Sequence, residues 1–171
     1  MAKDSVVSEV RAGAFFNGVE LNPQYFLPEW NTITSSKLEA VNFQLLFHSP
    51  ETDAFRWLGA PRPDIGATVN LAGHESMAHV GLVWHTPIAA SKFWVEGGLG
   101  AAIHNGALHG AVAPERDLGC RALIYAQASV GYDFTDQVSG MLTLDHASHA
   151  HLCGFDNNGL NGIGFRVGYK F

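Results

Sequence analysis

The chain has 171 residues, the size of one domain, and a formal net charge of −6 with no basic stripe, which excludes nucleic acid as an expected partner. No apolar run approaches the roughly 18 residues a spanning helix requires. Charged residues are only 15% of the chain, well below the about 25% usual in soluble proteins, so an oily solvent stays open; a β-barrel meets lipid with only every second residue of each strand.

Eight segments alternate with a period of two, the signature of strands with one oily and one polar face. The first, residues 5–16, sets Val10, Ala12, Ala14 and Phe16 against Arg11 and Gly13. The second sets Val41, Phe43, Leu45 and Phe47 against Asn42, Gln44 and His48, and the third sets Ile65, Ala67, Val69 and Leu71 against Gly66, Thr68 and Asn70. In the fourth, Val80, Leu82 and Trp84 oppose His79, Gly81 and His85; in the fifth, Phe93, Val95, Leu99 and Ile103 oppose Glu96, Gly98 and Gly100. The sixth, from about Arg121, aligns Ala126, Ala128, Val130, Tyr132 and Phe134. The seventh, residues 138–148, aligns Val138, Leu142, Leu144, His146 and Ser148. The last strand alternates Ile163, Phe165, Val167, Tyr169 and Phe171 with Gly164, Arg166, Gly168 and Lys170.

Two all-β arrangements satisfy this pattern. In a soluble sandwich or lipocalin-like barrel the oily faces would turn inward. In an antiparallel up-and-down transmembrane barrel of eight strands they would turn out to lipid, with the glycines, amides and isolated charges filling a narrow lumen. The terminal aromatic residue and the polar second face favour the second arrangement, a single domain over residues 1–171 in the bacterial outer membrane. The opening residues Met1-Ala2-Lys3-Asp4 carry no apolar leader, so the chain is expected to be a mature or recombinant form.

Connection lengths obey the barrel rule only in part. With both termini periplasmic, the connections that face outward should be the long ones. Residues 17–37, marked by Pro23, Pro28, Trp30 and Asn31, and residues 104–119 fit; the turn at Asp133-Phe134-Thr135-Asp136-Gln137 is short and inward. Against the rule, Ala72-Gly73-His74-Glu75 is a short outward turn and residues 49–63 form a long inward one. The same ordering puts Cys120 and Cys153 at the outer rim, in an oxidising setting, so a disulfide between them is expected. Trp30, Trp57, Trp84 and Trp94 suit interfacial girdles. Glu96, a charge in a narrow lumen, should pair with Arg11 or Arg166.

Strand seven also carries a candidate for chemistry. His146 and Ser148 share its oily face, about 7 Å apart along the backbone and able to lean together. Polar, titratable groups on a lipid face are costly unless they sit at the interface or act there. A histidine within reach of a serine hydroxyl can act as general base for attack on an ester.

The stretch His146-Ala147-Ser148-His149-Ala150 through Asn158-Gly159-Leu160-Asn161, closing in Gly164-Phe165-Arg166-Val167-Gly168-Tyr169-Lys170-Phe171, resembles the lipid A 3-O-deacylase (PagL) family of outer-membrane enzymes. The likeness is specific over the last part of the chain and looser at Glu96-Gly97-Gly98-Leu99-Gly100. It implies an eight-stranded barrel with its site on the outer wall, His146 as general base and Ser148 as nucleophile. The implied reaction is hydrolysis of the ester-linked 3-hydroxyacyl chain at position 3 of lipid A. The family's acidic third member falls at Asn161, and the asparagine and glycine of its motif fall at His149 and His151. An amide orients an imidazole but does not carry a carboxylate's charge, and in serine proteases an acid-to-amide change costs on the order of 10⁴ in rate. A His149 N–H stands where an oxyanion donor is expected, and loss of such a donor costs about 10² to 10³. Asp156 is a candidate for the acid role, whereas Asp145 points to the other face.

Two functions are therefore set against each other: a deacylase acting on lipid A or lipopolysaccharide, and a catalytically degenerate barrel with a structural or partner-binding role. Outer-membrane lipid is an expected partner of both, with a second copy or another membrane protein as a further one. No cofactor is called for. A metal held by His146, His149 and His151 with His104 or His109 has no tetrahedral spacing to support it, and the histidines read as rim residues.

Overall fold

The structure, a computed structural model, describes residues 5–20, 28–29 and 37–171. Eight strands follow one another around a closed barrel: β1 (Val7–Asn17), β2 (Leu38–Phe47), β3 (Arg62–Asn70), β4 (Met77–Pro87), β5 (Phe93–His104), β6 (Ala122–Asp133), β7 (Val138–Ser148) and β8 (Leu160–Lys170). Every neighbouring pair is antiparallel, and β8 returns to β1 through pairs such as Ala12 with Val167 and Ala14 with Phe165. Closure leaves no strand edge unpaired, which eight oily strands require.

The oily stripes face outward. Phe43, Val80, Leu99, Ile103, Leu142 and Phe165 are each at least half exposed. Inside, the wall is lined by Glu9, Arg11, Asn42, Gln44, Asp64, His79, Glu96, Gln127, Thr143 and Arg166, all nearly sealed from solvent. That is the inverse of a soluble protein, so the lipocalin-like alternative falls: burying these polar groups while wetting the apolar ones is stable only where the outer solvent is hydrocarbon.

The lumen is a packed polar core in which Glu9 and Glu96 offset Arg11 and Arg62. Arg11 donates to both Glu96 oxygens at 2.7 and 2.9 Å and to Glu9 at 2.8 and 3.0 Å. Arg62 reaches Glu9 at 2.8 Å and Glu96 at 2.5 Å, and His85 Nδ1 lies 3.0 Å from Glu96. Of the two arginines expected for Glu96, the structure thus selects Arg11. Arg166 serves a second tier, donating to Asn42, Gln127 and Gln44 at 2.7, 2.9 and 3.2 Å over the ring of Phe15. Gln44 also donates to Asp64 at 2.8 Å, and His79, 3.1 Å from Asp64, stacks on Tyr125.

Trp94 corrects one expectation. It is not in a girdle but lies in the lumen, 2% exposed, with its indole N–H donating to Asp133 at 3.0 Å and Arg11 near its ring face. Its register with Glu96 requires this, since residues two apart share a face. The indole lies across Gly131, where an added Cβ would come within 2.2 Å of a ring carbon. Gly131→Val is therefore expected to cost about 1–3 kcal/mol by overpacking, measured by urea unfolding in lipid vesicles. Trp57 is 86% exposed, Trp84 is half-buried, and Trp30 lies outside the described residues, as do Pro23 and Asn31 of the first connection and Met1 to Asp4.

The long inward connection is ordered in its own right. It contains a short helix, α1 (Asp53–Trp57), capped by Thr52, whose hydroxyl accepts from the Phe55 N–H, with Asp53 in its first turn. Trp84 anchors it to the wall by donating to the Leu58 carbonyl at 2.8 Å. Strand β3 begins at Arg62, so Pro63 lies within it; the pairing with β2 stops at Asp64, just past the proline.

Candidate active site

The register of β7 and β8 assembles a cluster on the outer wall. His146 stands directly across from Asn161, and Ser148 follows on the same face of β7, at its outer end. His146 Nε2 is 2.9 Å from Ser148 Oγ, and His146 Nδ1 is 2.6 Å from Asn161 Oδ1. The three residues singled out by the sequence are thus joined in one chain of hydrogen bonds.

The direction of that chain follows from a fourth group. Asn161 Nδ2 donates to the Val19 carbonyl at 2.9 Å, which leaves Oδ1 turned to the histidine. A carbonyl oxygen only accepts, so His146 carries its proton on Nδ1 and presents a bare Nε2 to Ser148. Ser148 Oγ–H then donates to Nε2, the arrangement a general base needs. The first connection is bound to Asn161 a second time, since the Gly18 N–H donates to the Asn161 carbonyl at 3.1 Å. Sequence reasoning missed Val19, an apolar residue acting through its backbone, and no side-chain signal marks it.

The far wall of the cluster is Gly159, held at φ +67°. A Cβ there would lie 3.3 Å from His146 Cε1 and 3.6 Å from Ser148 Cβ, so a larger residue would be strained in backbone and press on the pair. The connection leading to it, residues 149–159, turns through left-handed backbone at Ala150 and His151, φ 49° and 61°. The glycine of the resembling motif would adopt that conformation freely at 151, where this chain has histidine.

His149 does not offer the donor expected of it. Its ring is 2% exposed, Nε2 donates to the Asp156 carbonyl at 2.7 Å, and Nδ1 accepts from the Cys153 N–H at 3.2 Å. Its own backbone N–H donates to Asn157 Oδ1. The residue ties down the connection. Asp156, the candidate acid, pairs instead with His109 at 2.7 Å in an exposed contact. Asp145 faces the lumen, 1% exposed.

Cys120 and Cys153 form a disulfide, Cα atoms 5.9 Å apart, tying residues 149–159 to the start of β6. Among the described residues, the group of three metal-type donors that converges is these two sulfurs with His149, not the histidine set considered from sequence, and both thiols are committed to the disulfide. His104 donates from Nε2 to the Cys120 carbonyl.

A closed barrel with an oily wall and a polar lumen has the architecture of an integral outer-membrane protein, and its outer wall carries a Ser–His–Asn chain of hydrogen bonds. The family model described as "Lipid A 3-O-deacylase (PagL)" matches residues 20–170, and the chain belongs to that family. Among solved structures, the chain is similar to the crystal structure of the outer membrane enzyme PagL at 16% identity and a TM-score of 0.63, over 96% of this chain and 100% of that one. It is also similar to a de novo designed transmembrane β-barrel at 10% identity and a TM-score of 0.53, each chain being covered in full. At such identities these likenesses establish the fold. A search of the curated proteins returned no match. Family and wall together place the barrel in the bacterial outer membrane, in contact with its lipid.

Proposed function

We propose that this chain hydrolyses the ester-linked 3-hydroxyacyl chain at position 3 of lipid A, with Ser148 as nucleophile, His146 as general base and Asn161 as the residue that holds His146. The observation that carries the reading is the hydrogen-bonded chain from Asn161 through His146 to Ser148 on the lipid-facing wall. Ser148 Oγ loses its proton to His146 Nε2 and attacks the acyl carbonyl carbon. Collapse of the tetrahedral intermediate expels the sugar oxygen, which takes the proton from His146, and leaves an acyl-enzyme. Water, deprotonated by His146, then releases the 3-hydroxy fatty acid and restores the serine. A site at the outer end of β7, on the lipid-facing wall, supports a reaction in which the substrate need not leave the membrane.

The amide at 161 supports part of what a carboxylate does. It fixes the imidazole's tautomer and plane, but it brings no charge to offset the imidazolium formed in the transition state. That departure supports the rival reading of a barrel with a structural or lipid-contact role. Incubating the folded protein with lipid A and weighing the product by mass spectrometry decides between them. Loss of one 3-hydroxyacyl chain is the expected result, and an unchanged lipid mass rejects the deacylase reading. Asn161→Ala is expected to lower kcat on the order of 10²-fold, because the imidazole is then free to rotate and change tautomer.

A further inference from the structure

We infer that Arg116, in the connection between β5 and β6, is a positioning residue that keeps Asn161 in the one amide orientation able to serve the His146–Ser148 pair. The inference rests on the deacylase reading above.

An amide is nearly symmetric in shape, and its two ends differ only in what they bond. Turned over, Asn161 would offer Nδ2–H to His146 Nδ1. The imidazole would then carry its proton on Nε2, facing Ser148, and could not accept the serine proton. A carboxylate has no wrong way round, so this hazard belongs to a chain with asparagine at this position. In serine proteases the wrong tautomer contributes to the acid-to-amide penalty, beside the loss of the carboxylate's charge. Here the Val19 carbonyl opposes the turn, because it would lose its donor and face Oδ1 instead. The working orientation of Asn161 thus depends on where Val19 stands.

Arg116 grips the residues on either side of Val19. Its guanidinium donates to the Gly18 carbonyl at 3.0 Å and to Glu20 Oε1 at 2.6 Å. The same group reaches the carbonyls of Asn158 and Gly159, both at 3.4 Å, at the entry to β8. Its own backbone N–H donates to Glu75 at 2.7 Å, and its side chain is 12% exposed. A planar five-donor fork can span two connections in this way; a point charge cannot. One side chain therefore braces Val19 against the amide of Asn161, and Gly159 against His146 and Ser148.

The test compares wild type, Arg116→Ala, Arg116→Lys, Asn161→Ala and the double variant Arg116→Ala with Asn161→Ala. All are refolded in detergent and checked for an intact barrel by their electrophoretic shift on heating. Arg116→Ala is expected to lower kcat for lipid A about tenfold to a hundredfold with KM within about twofold of wild type, as for small misplacement of a reacting group. Arg116→Lys, which retains a charge for Glu20, should lie between. Because the residue acts on the pair through Asn161 as well as through Gly159, adding Arg116→Ala to Asn161→Ala should cost clearly less than Arg116→Ala costs in wild type, and full additivity overturns the inference. Hydrogen exchange supplies a readout apart from activity: residues 17–20 and 156–161 should lose protection together in Arg116→Ala. Unchanged kcat in an active enzyme overturns the positioning role. Should wild type release no acyl chain, the deacylase reading fails by itself, and unchanged protection in both segments then overturns the clasp as well.

Discussion

Ser148→Ala is expected to lower the rate of acyl release from lipid A by at least about 10³-fold, and His146→Asn by a similar factor, with the barrel still folded. Either change breaks the hydrogen bond between His146 Nε2 and Ser148 Oγ. In the proposed mechanism the first removes the attacking atom and the second the group that takes its proton. Groups that act as one unit are not additive, so the double variant should be no slower than the poorer single one. Mass spectrometry of lipid A, sampled over time, gives the rates, and heat-shifted electrophoresis confirms folding. Both variants sit on the outer wall, away from the lumen network, so a fall in rate is not a disguised loss of stability. If the variants release acyl chain as fast as wild type, the observed activity belongs to another site or to a contaminant, and the assignment fails.

The second large effect is structural. Glu96→Ala is expected to destabilise the barrel by about 3–5 kcal/mol, because it strands buried positive charge. Glu96 accepts from Arg11 and Arg62 and lies within hydrogen-bond distance of His85. Glu9 alone would then face both guanidinium groups. Replacing the charge pair as a unit, with Glu96→Leu and Arg11→Met, should cost much less, because well-packed apolar side chains of similar size often match a buried ion pair. Urea unfolding in lipid vesicles, followed by tryptophan fluorescence, measures both; Trp94, beside Arg11, reports directly on the network. A loss below about 1 kcal/mol for Glu96→Ala, the scale of an exposed ion pair, would mean that water screens the network and that the lumen is not a dry core.

Much of the architecture was legible because a strand's side chains alternate by covalent geometry, so a run such as Ile163 to Phe171 declares its two faces without knowledge of its neighbours. The same locality exposed His146 and Ser148, two residues apart on one strand, and Asn161 followed from its parity with Ile163 and Phe165 together with the family motif. Trp94 follows register rather than the tryptophan habit of forming girdles: two residues from the lumen-facing Glu96, it faces inward. Alternation is the same for a core turned in or out, so the outward turn rested on the terminal aromatic residue and the polar second face until the closed barrel bore it out. The choice of Arg11 over Arg166 for Glu96 depended on how strands stagger around the lumen. The supports of the site were decided by tertiary structure alone: Val19 meets Asn161 across 142 residues of chain, and Arg116 meets Gly18 across 98. Both contacts are made by backbone carbonyls in irregular connections, where no periodicity constrains position and side-chain identity does not specify the bond.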